Sequence, residues 1–254
     1  MMTDSELASI EVRHRHEQML KLVTKGFYNE LITYGVNREE VLTVAAHLLD
    51  NFMQNDGPAG KEIDFYNQVF TLKNIRDEWR SSRRLIIDSV SLTPLELGLI
   101  PLVRSWLQDP VIRSNFYPPF PEQQSELGRY FGDRTRQYFA IRHNDEPIGV
   151  IGAENIDCSC RKLEMRKFVG SSGLRSKGIG KRATFLFLYY VFVIMEFNKV
   201  YLFSLDTNIR NLNLNSKFGF ELEGVFFEEV ATGNKKQDLL RMALRAPVWF
   251  SLFR

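Results

Sequence analysis

The sequence predicts an α+β fold, a mixed α/β sheet with packed helices, preceded by an all-α N-terminal region. Three observations lead there. Up to about Ser82 the apolar spacing is helical, with no convincing strand. From Arg83 onward, strand-length runs alternate with helical ones. The chain then closes with two long strand patterns around the turn Thr232-Gly-Asn234. These shifts divide it into a helical unit over residues 1–82 and a sheet-bearing unit over residues 83–254.

Taken in order, Leu7, Ile10, Leu20, Val23, Phe27 and Leu31 recur at helical spacings, and Gly35 ends that helix. Asn37 opens the next, with Asn37 and Glu40 at the spacing of a capping box. A turn at Asn55–Gly60 precedes a third helix, Glu62 to about Ser81, with Phe65, Val69, Leu72, Ile75 and Trp79 on one face. RRLIIDSVSL then reads as a strand. LELGLIPLVRSWLQDPVIRSNF reads as a helix carried past Pro101 and broken at Pro110. After FYPPFP comes a shorter helix, Glu122–Phe131. Next, RQYFAIRH and PIGVIGAENI form a hairpin about Asn144–Pro147. RKLEMRKFVG is a strand with Leu163, Met165 and Phe168 facing inward. A glycine-rich loop leads into an apolar helix. KVYLFSLD is a strand, NIRNLNLNSKF a helix, and GFELEGVFFEEVA and KKQDLLRMALR the last two strands.

The bulk numbers exclude several classes. Hydrophobic residues are 44% and charged residues 25%, the balance of a globular protein. A net charge of +2, without a dense Lys/Arg block, argues against a nucleic-acid surface. The first residues carry no apolar signal-peptide core. The longest apolar run, Phe185–Met195, is eleven residues, well short of the roughly 20 needed to span a bilayer, so no membrane partner is expected. Cys158 and Cys160 stand too close to bridge and too few to hold zinc, and read as free thiols. Reduced thiols without an export signal point to the cytoplasm. His14 and His16 diverge along their helix, and His47 reads as a core or boundary residue, so no metal is expected.

The chemistry concentrates in Gly170–Ala183, GSSGLRSKGIGKRA. A nucleoside-triphosphate loop fails, because Ile179 stands where its lysine must be. Gly178-Ile-Gly180-Lys-Arg-Ala183 fits a dinucleotide loop, with Asp206 at the end of the next strand. However, the chain beyond Asp206 is too short for the remaining βαβ units. A pyrophosphate loop fits better. A helix start leaves N–H groups unpaired and partially positive, and glycines at 178 and 180 let an anion approach.

Arg175-Ser176-Lys177-Gly178-Ile179-Gly180 matches the Q/R-x-x-G-x-G/A loop of the GNAT family of N-acetyltransferases. Downstream, Asn208 before a helix that ends in Gly219-Phe220-Glu-Leu-Glu-Gly224 resembles that family's second signature. The resemblance runs from about Arg83 to Arg245. Trp106-Leu-Gln-Asp-Pro110 looks like its ribosomal-protein N-terminal and amino-sugar N-acetyltransferase branch.

The resemblance implies an acetyl-CoA co-substrate and two splayed strands, RKLEMRKFVG and KVYLFSLD, with the pantetheine arm between them. Backbone groups of Phe168 and Val169 would hold its amides. Arg175, Ser176, Lys177, Gly178, Ile179, Gly180 and Lys181 would hold its phosphates, and Asn208 and Asn211 would touch the arm. Glu164 is the first candidate for a base to deprotonate the acceptor, with Glu154 and Asp157 as alternatives. The family's tyrosine, which protonates the leaving thiolate, falls at Asn215, which is no acid, so this step would rely on hydrogen bonding from Asn215 or Ser216, or on water. Trp106, Arg113, Phe116 and Tyr117 lie where the family builds its acceptor wall.

The expected activity is acetyl transfer to a primary amine by direct attack in a ternary complex, with a small-molecule or amino-sugar acceptor slightly favoured. A protein or peptide N-terminus, or a coenzyme A or acyl-carrier binding module without catalysis, is the alternative. The N-terminal helices could recruit a protein partner. A monomer or homodimer is expected.

Overall fold

The computed structural model describes residues 4–33, 36–37, 40–42, 44–45, 70–175, 177–232 and 235–253. The turn expected at Asn55–Gly60, the first part of the third helix, His47, Ser176 and the Gly233-Asn234 turn lie outside them, as do the side chains of His14 and His16. α1 spans Asp4–Thr33 as one helix. At the start of the next, Asn37 N–H donates to Glu40 Oε2 at 2.8 Å and Glu40 N–H to Asn37 Oδ1 at 2.9 Å, the reciprocal capping expected from their spacing.

Nine strands form one sheet in the order β1-β2-β3-β4-β5-β6-β7-β9-β8. They are β1 (Arg76–Glu78), β2 (Arg84–Ile87), β3 (Val90–Pro94), β4 (Gln137–His143), β5 (Glu146–Asp157), β6 (Lys162–Val169), β7 (Lys199–Leu205), β8 (Glu221–Thr232) and β9 (Lys235–Arg245). Every neighbouring pair is antiparallel except β6 and β7.

The helices are α2 (Trp79–Ser82), α3 (Ile100–Leu107), α4 (Pro110–Arg113), α5 (Gln124–Gly132), α6 (Ile179–Tyr189), α7 (Ile209–Ser216) and α8 (Ala246–Phe253). On one face of the sheet, α6 and α8 close the larger core around Phe185, Phe187, Phe218, Trp249 and Phe253. On the other, α3, α4 and α5 close a smaller one around Val103, Leu127, Phe120 and Phe168. α6 is enclosed on nearly every side, as its composition implies: Phe185, Leu186, Phe187 and Leu188 are all 0% exposed.

Several elements differ from the sequence reading. Residues 70–81 do not continue a helix. They hold a 3₁₀ turn at Leu72–Asn74, edge strand β1 and the short α2, because Arg76, Asp77 and Glu78 pair with β2 across the sheet. RRLIIDSVSL is a hairpin, not one strand: Asp88 turns with φ 51°, and β2 pairs back on β3. α3 starts at Ile100 instead of being carried past Pro101 from earlier residues, and Pro101 sits in its first turn, where the fixed φ suits the helix and the missing N–H has no intrahelical partner to lose. Phe168 faces away from Leu163 and Met165. With a period of two, an even position cannot share the face of two odd ones, so it enters the smaller core. α8, with Trp249 fully buried, completes the larger core.

Candidate active site

β6 pairs with β5 from Val169 to Lys162, but it meets β7 only at Lys162↔Lys199, Leu163↔Val200 and Glu164↔Tyr201. Beyond Glu164 the two parallel strands part. A cavity of about 570 Å³ opens between them, lined by both strands, the 115–117 loop, the glycine loop and the starts of α6 and α7.

Arg175, Gly178, Gly180 and Lys181 line the cavity at the α6 end. Gly178 caps α6 with φ 75°, a left-handed conformation that L-residues resist. A Cβ added at Gly180 would meet only Val169 Cγ2, at 3.9 Å, so the helix start is open on that side. Unpaired helix-start N–H groups, this open approach and the adjacent cations fit a diphosphate. Arg175 also braces the loop. Its Nη2 donates to Asp109 Oδ2 at 2.7 Å, and its Nε and Nη2 donate to the carbonyls of Val169 and Gly170, each at 3.1 Å. That guanidinium holds the Asp109 carboxyl below its usual range, while Asp109 caps α4 through Val111 N–H. Ile179 is buried in the core, so only its backbone can serve a ligand, and Lys177 is exposed outside the cavity lining.

Phe168, Val169, Asn208 and Asn211 all line the cavity. Asn208 both lines the cavity and caps α7, accepting from Asn211 N–H at 3.3 Å. Asn215 is placed differently. It is 0% exposed, with its Nδ2 donating to Asn211 O at 2.8 Å and Asn211 Oδ1 at 3.0 Å.

Of the three carboxylates considered, only Glu164 lines the cavity. Burial raises its pKa, opposed by the hydrogen bond from Asn155 Nδ2 at 2.8 Å and by the Arg166 charge. Its cross-strand partner Glu154 is taken up by the hydroxyls of Tyr130 and Tyr138 and by Arg166 Nη1 at 3.4 Å. Burial pushes the Tyr130 hydroxyl to about 12, so it stays a donor to that carboxylate. Asp157 ends β5 at the exposed turn that follows, where Ser159 and the Cys160 N–H lower it to about 2.

The acceptor-side residues separate. Phe116 and Tyr117 line the cavity. Trp106 packs its ring over Gly170, with centroids 6.3 Å from Phe168, and belongs to the smaller core. Arg113 pairs with Glu122 and lines a neighbouring cavity of about 210 Å³.

Two residues escaped the sequence reading. Arg166 is 5% exposed, stacked 4.2 Å from the Phe120 ring centroid, and donates to Pro118 O at 2.6 Å. Lys167 lines the cavity and donates to Thr184 and Asn215. The available signal was alternation: after Leu163 and Met165, position 167 is the next inward one, and it holds a cation. Among the described residues, no three His, Cys, Asp or Glu converge as for a metal ion, and no helix is long and apolar enough to cross a membrane. Cys158 and Cys160 are free and exposed.

Residues 89–221 match the acetyltransferase (GNAT) domain family. The chain is similar to the spermidine N(1)-acetyltransferase of Escherichia coli (strain K12), 23% identical over 143 residues, which are 56% of this chain and 73% of that relative. Among solved structures it resembles the spermidine N-acetyltransferase of Vibrio cholerae in complex with CoA and spermine. There the TM-score is 0.59 at 22% identity, covering 64% of this chain and 98% of that one. A dodecameric structure of the Vibrio cholerae enzyme in an intermediate state gives 0.55 at 23%, covering 62% and 94%. With the domain match spanning more than half of its length, the chain belongs to the GNAT acetyltransferase family, an acyltransferase that draws its acetyl group from acetyl-CoA.

Proposed function

We propose that the chain acetylates the primary amine of a small molecule by direct attack in a ternary complex. The observation that carries this is the placement of Glu164, a buried carboxyl at the point where β6 and β7 part, lining the cavity. An alkyl ammonium with pKa near 10.4 must lose a proton before it can attack, and a carboxylate raised by burial takes it more readily than an exposed one. The α6 start, Arg175 and Lys181 hold the phosphates, and the backbone of Phe168 and Val169 holds the pantetheine amides. Asn208 and Asn211 line the arm. Ser176 and Lys177 complete the loop.

Phe116 and Tyr117 form the acceptor wall. The polyamines named for the similar enzymes are the first acceptors to test. Amino sugars come second: beside one carboxylate, the cavity lining carries Arg166, Lys167, Arg175, Lys181 and Lys217, which suits a single amine on a neutral or anionic body. The Trp106–Pro110 segment supports the amino-sugar and ribosomal-protein branch. The helical residues before Phe70 form an accessory unit, because none of those described lines the cavity, whereas residues 70–82 join the sheet through β1 and the larger core through Phe70 and Trp79. A cytoplasmic monomer or homodimer completes the reading.

The test joins melting and turnover. Acetyl-CoA or CoA at 100 times its dissociation constant should add about 2.7 kcal/mol to the folded state. Spermidine or an amino sugar should then release free thiol. Glu164→Gln should cut kcat by roughly 10²-fold or more while keeping the melting shift. Thiol release with N-terminal peptides alone would make the acceptor a protein. A melting shift without turnover of any amine would leave a binding module.

A further inference from the structure

Along β6, Leu163 and Met165 enter the larger core, and the next side chain on that face is Lys167. Its Nζ donates to Thr184 Oγ1 at 2.8 Å and to Asn215 Oδ1 at 2.7 Å. Both partners are themselves fixed. Thr184 gives its hydroxyl proton to Gly180 O at 2.7 Å, so its oxygen is left to accept. Asn215 spends its Nδ2 on Asn211, which turns Oδ1 toward the lysine. Thr184 and Asn215 are both 0% exposed. An ammonium has three N–H groups. Two are taken by these acceptors, leaving one for the cavity that Lys167 lines.

We propose that Lys167 is the general acid of the reaction, delivering a proton to the coenzyme A sulfur as the acyl C–S bond breaks. This rests on the acetyl-transfer reading above and supplies the acid that Asn215 cannot be. The acceptor nitrogen forms the new C–N bond to the acetyl carbon, and the C–S electron pair goes to sulfur. Sulfur takes its proton from Lys167 Nζ. Glu164, having passed the ammonium's first proton to water before attack, takes the second one as the C–N bond forms. Water reached through the cavity returns one proton to Lys167 and removes one from Glu164, so, apart from that first proton, the net change is N–H replaced by S–H. Thr184 and Asn215 are positioning residues: they hold the ammonium without sharing its charge.

The acidity suits this role. Burial lowers Lys167 to about 7, with no charged neighbour contributing. The side chains facing it from α6 and α7, Thr184 and Asn215, are uncharged, and its β5 register partner is Ile151. The charged groups sharing the cavity are Glu164, Arg166, Arg175, Lys181 and Lys217. A lysine near its ordinary 10.4 would protonate a thiolate of about 8.5 uphill; one near 7 does so downhill. A lysine kept only for structure would behave otherwise. Methionine there would pack like Met165 and stabilise the chain without loss of activity.

The test uses the full chain. NMR of lysine labelled at Cε and Nζ, assigned by the signal missing in Lys167→Met, should show one lysine titrating near 7 in the ligand-free protein. In the wild type, kcat should fall as pH rises through that value. Lys167→Met should lose that limb and about a hundredfold or more in kcat, with its melting shift on CoA unchanged. Lys167→Arg should lose as much, because a guanidinium keeps the charge but does not release its proton. A Lys167 that titrates near 10, or a Lys167→Met enzyme with wild-type kcat and alkaline limb, overturns the proposal. If the wild type itself releases no thiol with any amine, acetyl transfer fails first and the acid role falls with it.

Discussion

Asp206 shows how one side chain can carry a cost the sequence does not reveal. It is 4% exposed and, among the described residues, its Oδ1 has no hydrogen-bond partner. Burial, with the neighbouring Asp238 charge, raises its pKa above 3.8. A raised carboxyl pKa means that the folded state holds the proton more tightly than the unfolded one. Stability is therefore highest below the unfolded value and declines as pH rises through the folded one. Asp206→Asn should accordingly melt higher than wild type at pH 7, with the gain shrinking as pH falls toward 3.8. Melting curves at both pH values check this, and no gain at pH 7 would show that the charge costs nothing. Glu164 was legible as a base candidate because it follows the register of its strand. Lys167 and Arg166 were not, since their environment is made by residues up to 48 positions away.

At the scale of elements, the start of α6 and the parting of β6 from β7 position the chemistry. Gly178 sits at φ 75°, and a Cβ there would lie 3.0 Å from Arg182 Nη1, whose Nε is bonded to Asp88 at 2.8 Å. Gly178→Ala should cost about 1 kcal/mol from the left-handed backbone alone. It should also reduce the melting shift with CoA, by displacing the amides at the helix start. An unchanged shift would put the anion elsewhere. The loop, the N-caps at Asn37 and Asn208 and the order of strands from β4 to β9 follow from local signals: glycine spacing, capping residues and alternation. The β2–β3 hairpin and edge strand β1 do not, because Arg83–Leu92 carries no glycine to mark its turn. Arg76, Asp77 and Glu78 are a strand only because β2 lies beside them.

Across the whole molecule, α1 lies against β8 and α7, and reaches Asp206 just beyond β7. Met19 and Leu22 pack on the larger core, and Lys25 pairs with Asp238 at 3.4 Å. Gly26 permits the contact, since an added Cβ would fall 2.5 Å from the Asp206 carbonyl oxygen. The two effects of Gly26→Ala oppose each other: about 1 kcal/mol gained in helix propensity against a backbone clash. A lower melting temperature and faster proteolysis of α1 are expected, with small-amine turnover retained; a higher one would mean that α1 does not dock there. By itself, the sequence determined the glycine loop that opens α6, the order of the elements from β4 to β9 and the family, because each is written in neighbouring residues and their periods. Only the tertiary structure decided that Asn215 is Lys167's partner, that Arg166 takes up Glu154, and that Trp106 packs on Gly170 instead of lining the cavity. Those pairings join residues distant in the chain, and they exist only where strand register and helix docking bring them together.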